Sequence, residues 1–226
     1  MEEISKYDSK FIQTRHGKIH YLIFDSENSP LIVVLPGFTI PAEAYIPFCS
    51  NVHKYGFSVI IIDYWGRGGS SNPTNINYSL SSQISLVQLL FDHLQITKCH
   101  IIGISYGSSV AAGIVSRSID IVDKLVFVSP LQFTDGMPSP LQKLVLGTPY
   151  LGPLILSHAS TSMVPELIKN QFQNPTEFTE IIDKISQICI DQFKNKGHAS
   201  AISKSIASYD ESEIEHSFAS LSAVNK

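Results

Sequence analysis

The sequence predicts an α/β protein, a mostly parallel sheet flanked by helices and followed by a helical cap. Three observations carry this. Up to about residue 130, short β-branched runs alternate with helical stretches. Two of those runs, "PLIVVLPG" and "FSVIIIDYWG", are almost continuously apolar, which suits central strands covered on both faces. Beyond Pro130 proline and glycine break the pattern, and no strand-like run follows. With 226 residues, 43% apolar and 16% charged, the chain can bury a substantial core and lacks the composition of a disordered protein.

Taken in order, "SKFIQTRHG" and "KIHYLIFD" predict a hairpin turned at His16-Gly17. "PLIVVLPG" is the third strand, "AEAYIPFCSNVHKYG" a helix ending at Gly56, and "FSVIIIDYWG" the fourth strand. Ser79 can cap a helix on which Leu80, Ile84, Val87, Phe91 and Leu94 recur at spacings of three and four, so that helix should cover one face of the sheet. "KCHIIGIS", "YGSSVAAGIVSRS" and "DKLVFVS" then read as strand, helix and strand, joined by right-handed crossovers. The rest, from "PLQFTDGMPSPLQKLVLGTPYLGPLIL" onward, reads as short helices. The expected division is a core over residues 1–134 and a helical cap over 135–226.

A net charge of −4 gives no electrostatic footprint for nucleic acid or for an acidic membrane surface. "LVLGTPYLGPLIL" is too short and too broken for a transmembrane span. "MEEISKYDSK" lacks the basic and apolar regions of a secretory signal, so a cytoplasmic protein is expected. Cys49, Cys99 and Cys189 are odd in number and widely spaced without a CxxC pair, which predicts buried reduced thiols rather than disulfides or a zinc site. No metal and no organic cofactor is expected.

The chemistry-bearing stretch is "GISYG", Gly103 to Gly107, between a strand and a helix. A sharp turn there would hold Ser105 in a strained conformation with its hydroxyl raised above the sheet, although an incidental Gly/Ser turn also fits the letters. Side chains at positions 103 and 107 would collide with the neighbouring strand and helix, so glycine is required. The same turn sets Ser105 at a helix N-terminus, where unpaired amides and the positive dipole end favour a developing oxyanion. In "LPGFT", Gly37 permits a close turn that leaves the Phe38 amide able to point at the same oxygen as the Tyr106 amide, although an ordinary proline-glycine turn explains the letters too. "DYWGRGGSSNP" lacks the lysine and hydroxyl residue of a phosphate loop and the spacing of a dinucleotide fingerprint. It reads as a tight surface turn in which Asp63 hydrogen-bonds loop amides.

These stretches together resemble the α/β-hydrolase superfamily, and within it the small lipase, esterase and peptidase-like members with a helical cap. "LPGF" is similar to the oxyanion turn, "DYWGRGGSS" to the loop after the fourth strand, "GISYG" to the nucleophile elbow, and "VSPLQFTDGMPSP" to the entry of the cap. Pro36 stands where the family commonly has histidine. The resemblance also implies an acid and a histidine after the nucleophile, on loops following a seventh and an eighth strand, whereas this sequence reaches "SLSAVNK" about where a seventh strand would begin. The fold is therefore expected to be C-terminally incomplete. An incomplete gene product is the favoured explanation, beside a partner chain completing the sheet and a non-catalytic descendant. Asp135, His158, His198 and His216 could supply the acid and base, and no spacing singles one out; each also reads as a solvated or hydrogen-bonded cap residue. His16, His20, His53, His93 and His100 precede the elbow and read as strand or helix residues without a catalytic role.

The resemblance implies a serine hydrolase: Ser105 as nucleophile, the Phe38 and Tyr106 amides as oxyanion hole, Gly37, Gly103 and Gly107 as supporting glycines. The apolar cap residues Leu144, Val145, Leu146, Tyr150, Leu151 and Leu154 suggest a small-molecule ester or lipid with a lipophilic acyl group, such as a monoacylglycerol or lysophospholipid, though core packing explains them almost as well. The alternatives are a proline-iminopeptidase-like serine peptidase and a non-catalytic binding protein. "KLVFVS" is expected to be an apolar sheet edge open to another chain.

Overall fold

The computed structural model describes residues 3–131 and 139–223. Its sheet has six strands, β1 (Asp8–Thr14), β2 (Gly17–Phe24), β3 (Leu31–Leu35), β4 (Ser58–Ile62), β5 (Cys99–Ile104) and β6 (Val122–Val128), in the order β1-β2-β4-β3-β5-β6. The hairpin β1–β2 runs antiparallel with Thr14 opposite Gly17, and β2 pairs antiparallel with β4. The strands β4, β3, β5 and β6 are mutually parallel. The fold is thus the mostly parallel α/β sheet that the alternation predicts. The two apolar runs take its central positions because both of their faces are covered: Val33, Val34, Leu35, Ile61 and Ile62 are fully buried.

Helices α1 (Ile46–Lys54), α2 (Leu80–His93) and α3 (Tyr106–Arg117) flank the sheet. The helix expected from Ala42 onward is divided: Ala42–Tyr45 is a 3₁₀ turn, and the α-helix starts one residue before Pro47. Proline is tolerated in a first helical turn, where its missing N–H is not needed, and it would break a longer helix. Ser79 caps α2 by accepting from the Ser82 amide, and Leu80, Ile84, Val87 and Phe91 are buried beneath that helix.

The contacts divide into two compact units, one of residues 1–137 with 209–226 and one of residues 138–208. The second contains α4 (Pro140–Leu146), α5 (Leu151–Lys169), α6 (Thr179–Gln192) and α7 (Lys196–Ala207) around Leu156, Val164, Ile168, Ile182, Cys189 and Ile202. A capping box of Ser139 and Gln142 starts α4, and the Ser203 hydroxyl donates to the Leu146 carbonyl at its end. The expected cap boundaries differ from this at the C-terminal end, since α8 (Glu211–Ala219) belongs to the first unit. There Ile214 is buried, Phe218 meets Phe127 edge-on at 5.5 Å, and Glu213 accepts from the Ser81 amide.

Candidate active site

Ser105 joins β5 to α3 with φ 53° and ψ −118°. A left-handed conformation of this kind costs a non-glycine residue about 1–3 kcal/mol, so the surroundings must hold it. Its amide donates to the Val128 carbonyl of β6 at 2.9 Å, and its carbonyl accepts from Ser108 at 2.9 Å and Leu131 at 3.3 Å. The Ser108 hydroxyl, fully buried, ties the turn back to the Gly103 carbonyl at 2.9 Å. The flanking glycines are sterically required. A Cβ at position 103 would stand 2.7 Å from the Ser108 Cα, and one at position 107 would overlap the Leu35 carbonyl at the end of β3. The elbow is wedged between its own helix and the neighbouring strand.

The end of β3 brings the second turn to the same place. A Cβ at Gly37 would lie 3.9 Å from the Ser105 Cβ and 3.3 Å from the Tyr45 hydroxyl. The Gly37 amide donates to that hydroxyl at 3.2 Å. Among the described residues, the Phe38 and Tyr106 amides have no protein acceptor. The two rings meet edge-on at 5.3 Å, and Tyr64 meets Tyr106 edge-on at 5.8 Å. Tyr106 begins α3, so its amide lies at the positive end of the helix dipole.

Arg67 anchors the Phe38 turn from below. Its Nε donates to the Phe38 carbonyl at 3.0 Å, Nη1 donates to the Trp65 carbonyl at 2.8 Å, and its Cζ lies 4.9 Å above the Phe38 ring. Burial lowers the Arg67 pKa to about 10, partly offset by Tyr106, Tyr78 and Tyr64. It therefore remains charged at neutral pH. Burial is also the main cause that raises the Tyr64 and Tyr106 phenols well above their ordinary range, so both stay neutral. "DYWGRGG" is consequently not the surface turn its glycines suggest: Asp63, Tyr64, Trp65 and Arg67 are each exposed by 2% or less. Asp63 does bind backbone amides, accepting from Gly69 at 2.9 Å and from Ala42 at 2.7 Å.

Of the residues weighed as acid or base, the three histidines stand on separate helices. Asp135 lies outside the described residues. His158 is exposed on α5, His198 is buried on α7 with its ring edge-on to Phe193, and His216 is exposed on the last turn of α8. Among the described residues no group of three or more His, Cys, Asp and Glu side chains could hold a metal ion, and no helix is long and apolar enough to cross a membrane. Sequence reasoning missed Tyr45, Arg67 and the Val128 carbonyl, none of which carries a local signal.

A mostly parallel sheet with a strained serine between strand and helix, facing a glycine turn from the adjacent strand, defines an α/β protein of hydrolase architecture. Residues 30–153 match the family model of the α/β hydrolase fold, and the chain belongs to that family. An uncharacterized carboxylesterase, nap, of Bacillus subtilis (strain 168) is 25% identical over 126 residues, covering 55% of this chain and 41% of that protein. An N-formylmaleamate deformylase of Pseudomonas putida is 27% identical over 111 residues, covering 49% of this chain and 41% of that one. The chain thus matches about two-fifths of the length of these curated relatives. Among solved structures, Cfl2 of Burkholderia cenocepacia superimposes with a TM-score of 0.77 at 16% identity, over 97% of this chain and 76% of that one. The likeness in structure speaks for the fold.

Proposed function

We propose that the chain carries the nucleophilic half of a serine ester hydrolase. In this reading Ser105 Oγ attacks a carboxylic ester, the alkoxide leaves, and water releases the acid from the acyl-serine. The Phe38 and Tyr106 amides stabilise the tetrahedral oxyanion, and loss of one such donor typically costs about 3 kcal/mol of barrier. The observation that carries it is the left-handed Ser105 at the start of α3 beside two amides without a protein acceptor. The resemblance implies a histidine base, and no histidine of the described residues is assigned to it.

The substrate proposed is a lipophilic acyl ester of the monoacylglycerol or lysophospholipid kind. That substrate class is read from the apolar character of the stretch that holds Leu144, Val145, Leu146, Tyr150, Leu151 and Leu154. Two experiments test the reading. A fluorophosphonate should add to Ser105 in the unaltered chain and the Ser105→Ala variant should lose that adduct; an unaltered chain without an adduct at Ser105 leaves a binding protein. Short esters should be cleaved in preference to aminoacyl amides, and the reverse preference indicates a peptidase.

A further inference from the structure

A second serine, outside the elbow, stands in a relay of three groups. The Oδ2 of Asp63 is 2.5 Å from His20 Nδ1, and His20 Nε2 is 2.9 Å from Ser9 Oγ. The β1–β2 register places Phe11 opposite His20 and Ser9 opposite Leu22, so Ser9 is the diagonal cross-strand neighbour of the imidazole. Burial is graded along the relay: Asp63 is 2% exposed, the His20 side chain 12%, and Ser9 is exposed on the outer strand.

The hydrogen-bond roles follow from the donor inventory. Asp63 already accepts from the Ala42 and Gly69 amides, and an ionised carboxylate only accepts. Nδ1 of His20 must therefore carry the proton, which leaves Nε2 of a neutral imidazole as the acceptor for the Ser9 hydroxyl. The ring is also held in place. Phe11 lies 4.8 Å from it on one side, and a Cβ on Gly69 would come within 2.7 Å of its Cγ. A hydroxyl, an oriented imidazole and a buried carboxylate are the parts that activate a serine in acyl transfer.

We infer that Ser9 is a second nucleophilic site, a base-assisted acceptor of activated acyl or phosphonyl groups. With a fluorophosphonate, a bond forms from Ser9 Oγ to phosphorus, the P–F bond breaks, the hydroxyl proton passes to His20 Nε2, and fluoride leaves. The resulting imidazolium is balanced by Asp63. Ser9 lies within a strand rather than at a helix N-terminus, so stoichiometric modification is expected rather than turnover. The inference does not depend on the role proposed for Ser105.

The test is mass-spectrometric mapping of fluorophosphonate adducts over time on the full chain carrying Ser105→Ala. The reference is Ser85, exposed on α2 with its hydroxyl bound to the Ser81 carbonyl and so without a base. General-base assistance is ordinarily worth 10²–10⁴-fold, so Ser9 should react about 10²-fold faster than Ser85. Ser9→Ala should remove that adduct, and His20→Gln should lower the Ser9 rate to that of Ser85. A ratio of Ser9 to Ser85 below about ten overturns the inference, since base assistance would then be absent. That ratio is read without the His20 variant and decides the matter if His20→Gln fails to fold. An absent adduct at Ser105 in the unaltered chain tests the other reading separately.

Discussion

Arg67 holds Phe38 at two points, through a hydrogen bond of 3.0 Å from its Nε to the Phe38 carbonyl and through a guanidinium 4.9 Å from the ring centroid. The carbonyl and the ring are thereby fixed together, and with them the turn whose amide is proposed to meet the oxyanion. Replacing Arg67 by methionine leaves the Phe38 and Trp65 carbonyls short of a charged donor. Each such bond is worth about 1.5–3 kcal/mol. Urea unfolding of Arg67→Met should show a loss of about 3–6 kcal/mol, and Arg67→Lys should recover little of it, because lysine has neither the planar fork nor the stacking face. Full recovery by lysine would mean that charge alone matters there.

Tyr45 reaches the same turn from the other side. Its hydroxyl accepts the Gly37 amide at 3.2 Å and lies 3.3 Å from where a Gly37 Cβ would stand. Tyr45→Phe keeps the ring and removes the acceptor, so the amide loses its partner at a cost of about 1–3 kcal/mol. The expected result is a folded protein whose Ser105 phosphonylation slows by about tenfold, the lower part of that range. Circular dichroism and labelling kinetics on one sample check both halves of the statement.

Two glycines that differ sharply in crowding, Gly107 in the elbow and Gly56 between α1 and β4, give a paired prediction. At Gly107 any Cβ overlaps the Leu35 carbonyl, which is strand backbone and cannot move aside cheaply. At Gly56 nothing lies within 4 Å, and only a φ of +89° opposes a side chain. Gly107→Ala should abolish folding or cost more than about 3 kcal/mol, while Gly56→Ala should cost about 1–2 kcal/mol from the backbone alone. Thermal unfolding of the pair separates steric overlap from conformational strain.

The contrast between these residues explains what could be read from the amino-acid order. The β3 and β4 runs, the cap at Ser79 and the Gly103–Ser105–Gly107 spacing are local patterns with one physical solution each, and the structure shows the strands, the capping bond and the crowding they require. Arg67 was illegible because a charge among glycines reads as solvated, and its carbonyl partner at Phe38 is 29 residues away. Tyr45 reads as one more apolar helical position until Pro47 shortens the helix and leaves it in a 3₁₀ turn. The C-terminal stretch reads as short helices, but the letters do not say which unit α8 joins. The relay of Ser9, His20 and Asp63 needs the β1–β2 register as well as the β2–β4 register, and neither is written in any one segment.

The three thiols give a prediction in pH. Cys49, Cys99 and Cys189 are buried, and burial pushes each thiol from 9.0 up to about 12. In the folded chain they stay protonated at pH 8 and should not react with a disulfide reagent until urea exposes them. Above pH 9 the unfolded chain releases thiol protons that the folded chain retains, so their contribution to stability falls between pH 9 and about 12. Cys49→Ala should therefore flatten part of that decline in the urea midpoint. A native protein that titrates three thiols at pH 8 would contradict the burial.

The outer side of β6 has no strand partner among the described residues, and Val126 is 49% exposed there. Unpaired amides and carbonyls beside an apolar side chain form a template for another strand, in keeping with the expectation that "KLVFVS" is an edge open to another chain. A lysine on such an edge opposes that pairing because its ammonium would have to be desolvated. Val126→Lys removes no fully buried contact, so its unfolding free energy should stay within about 0.5 kcal/mol of the unaltered protein. Its light scattering at high concentration should fall at the same time. Equal scattering from the two proteins would show that β6 does not recruit a strand.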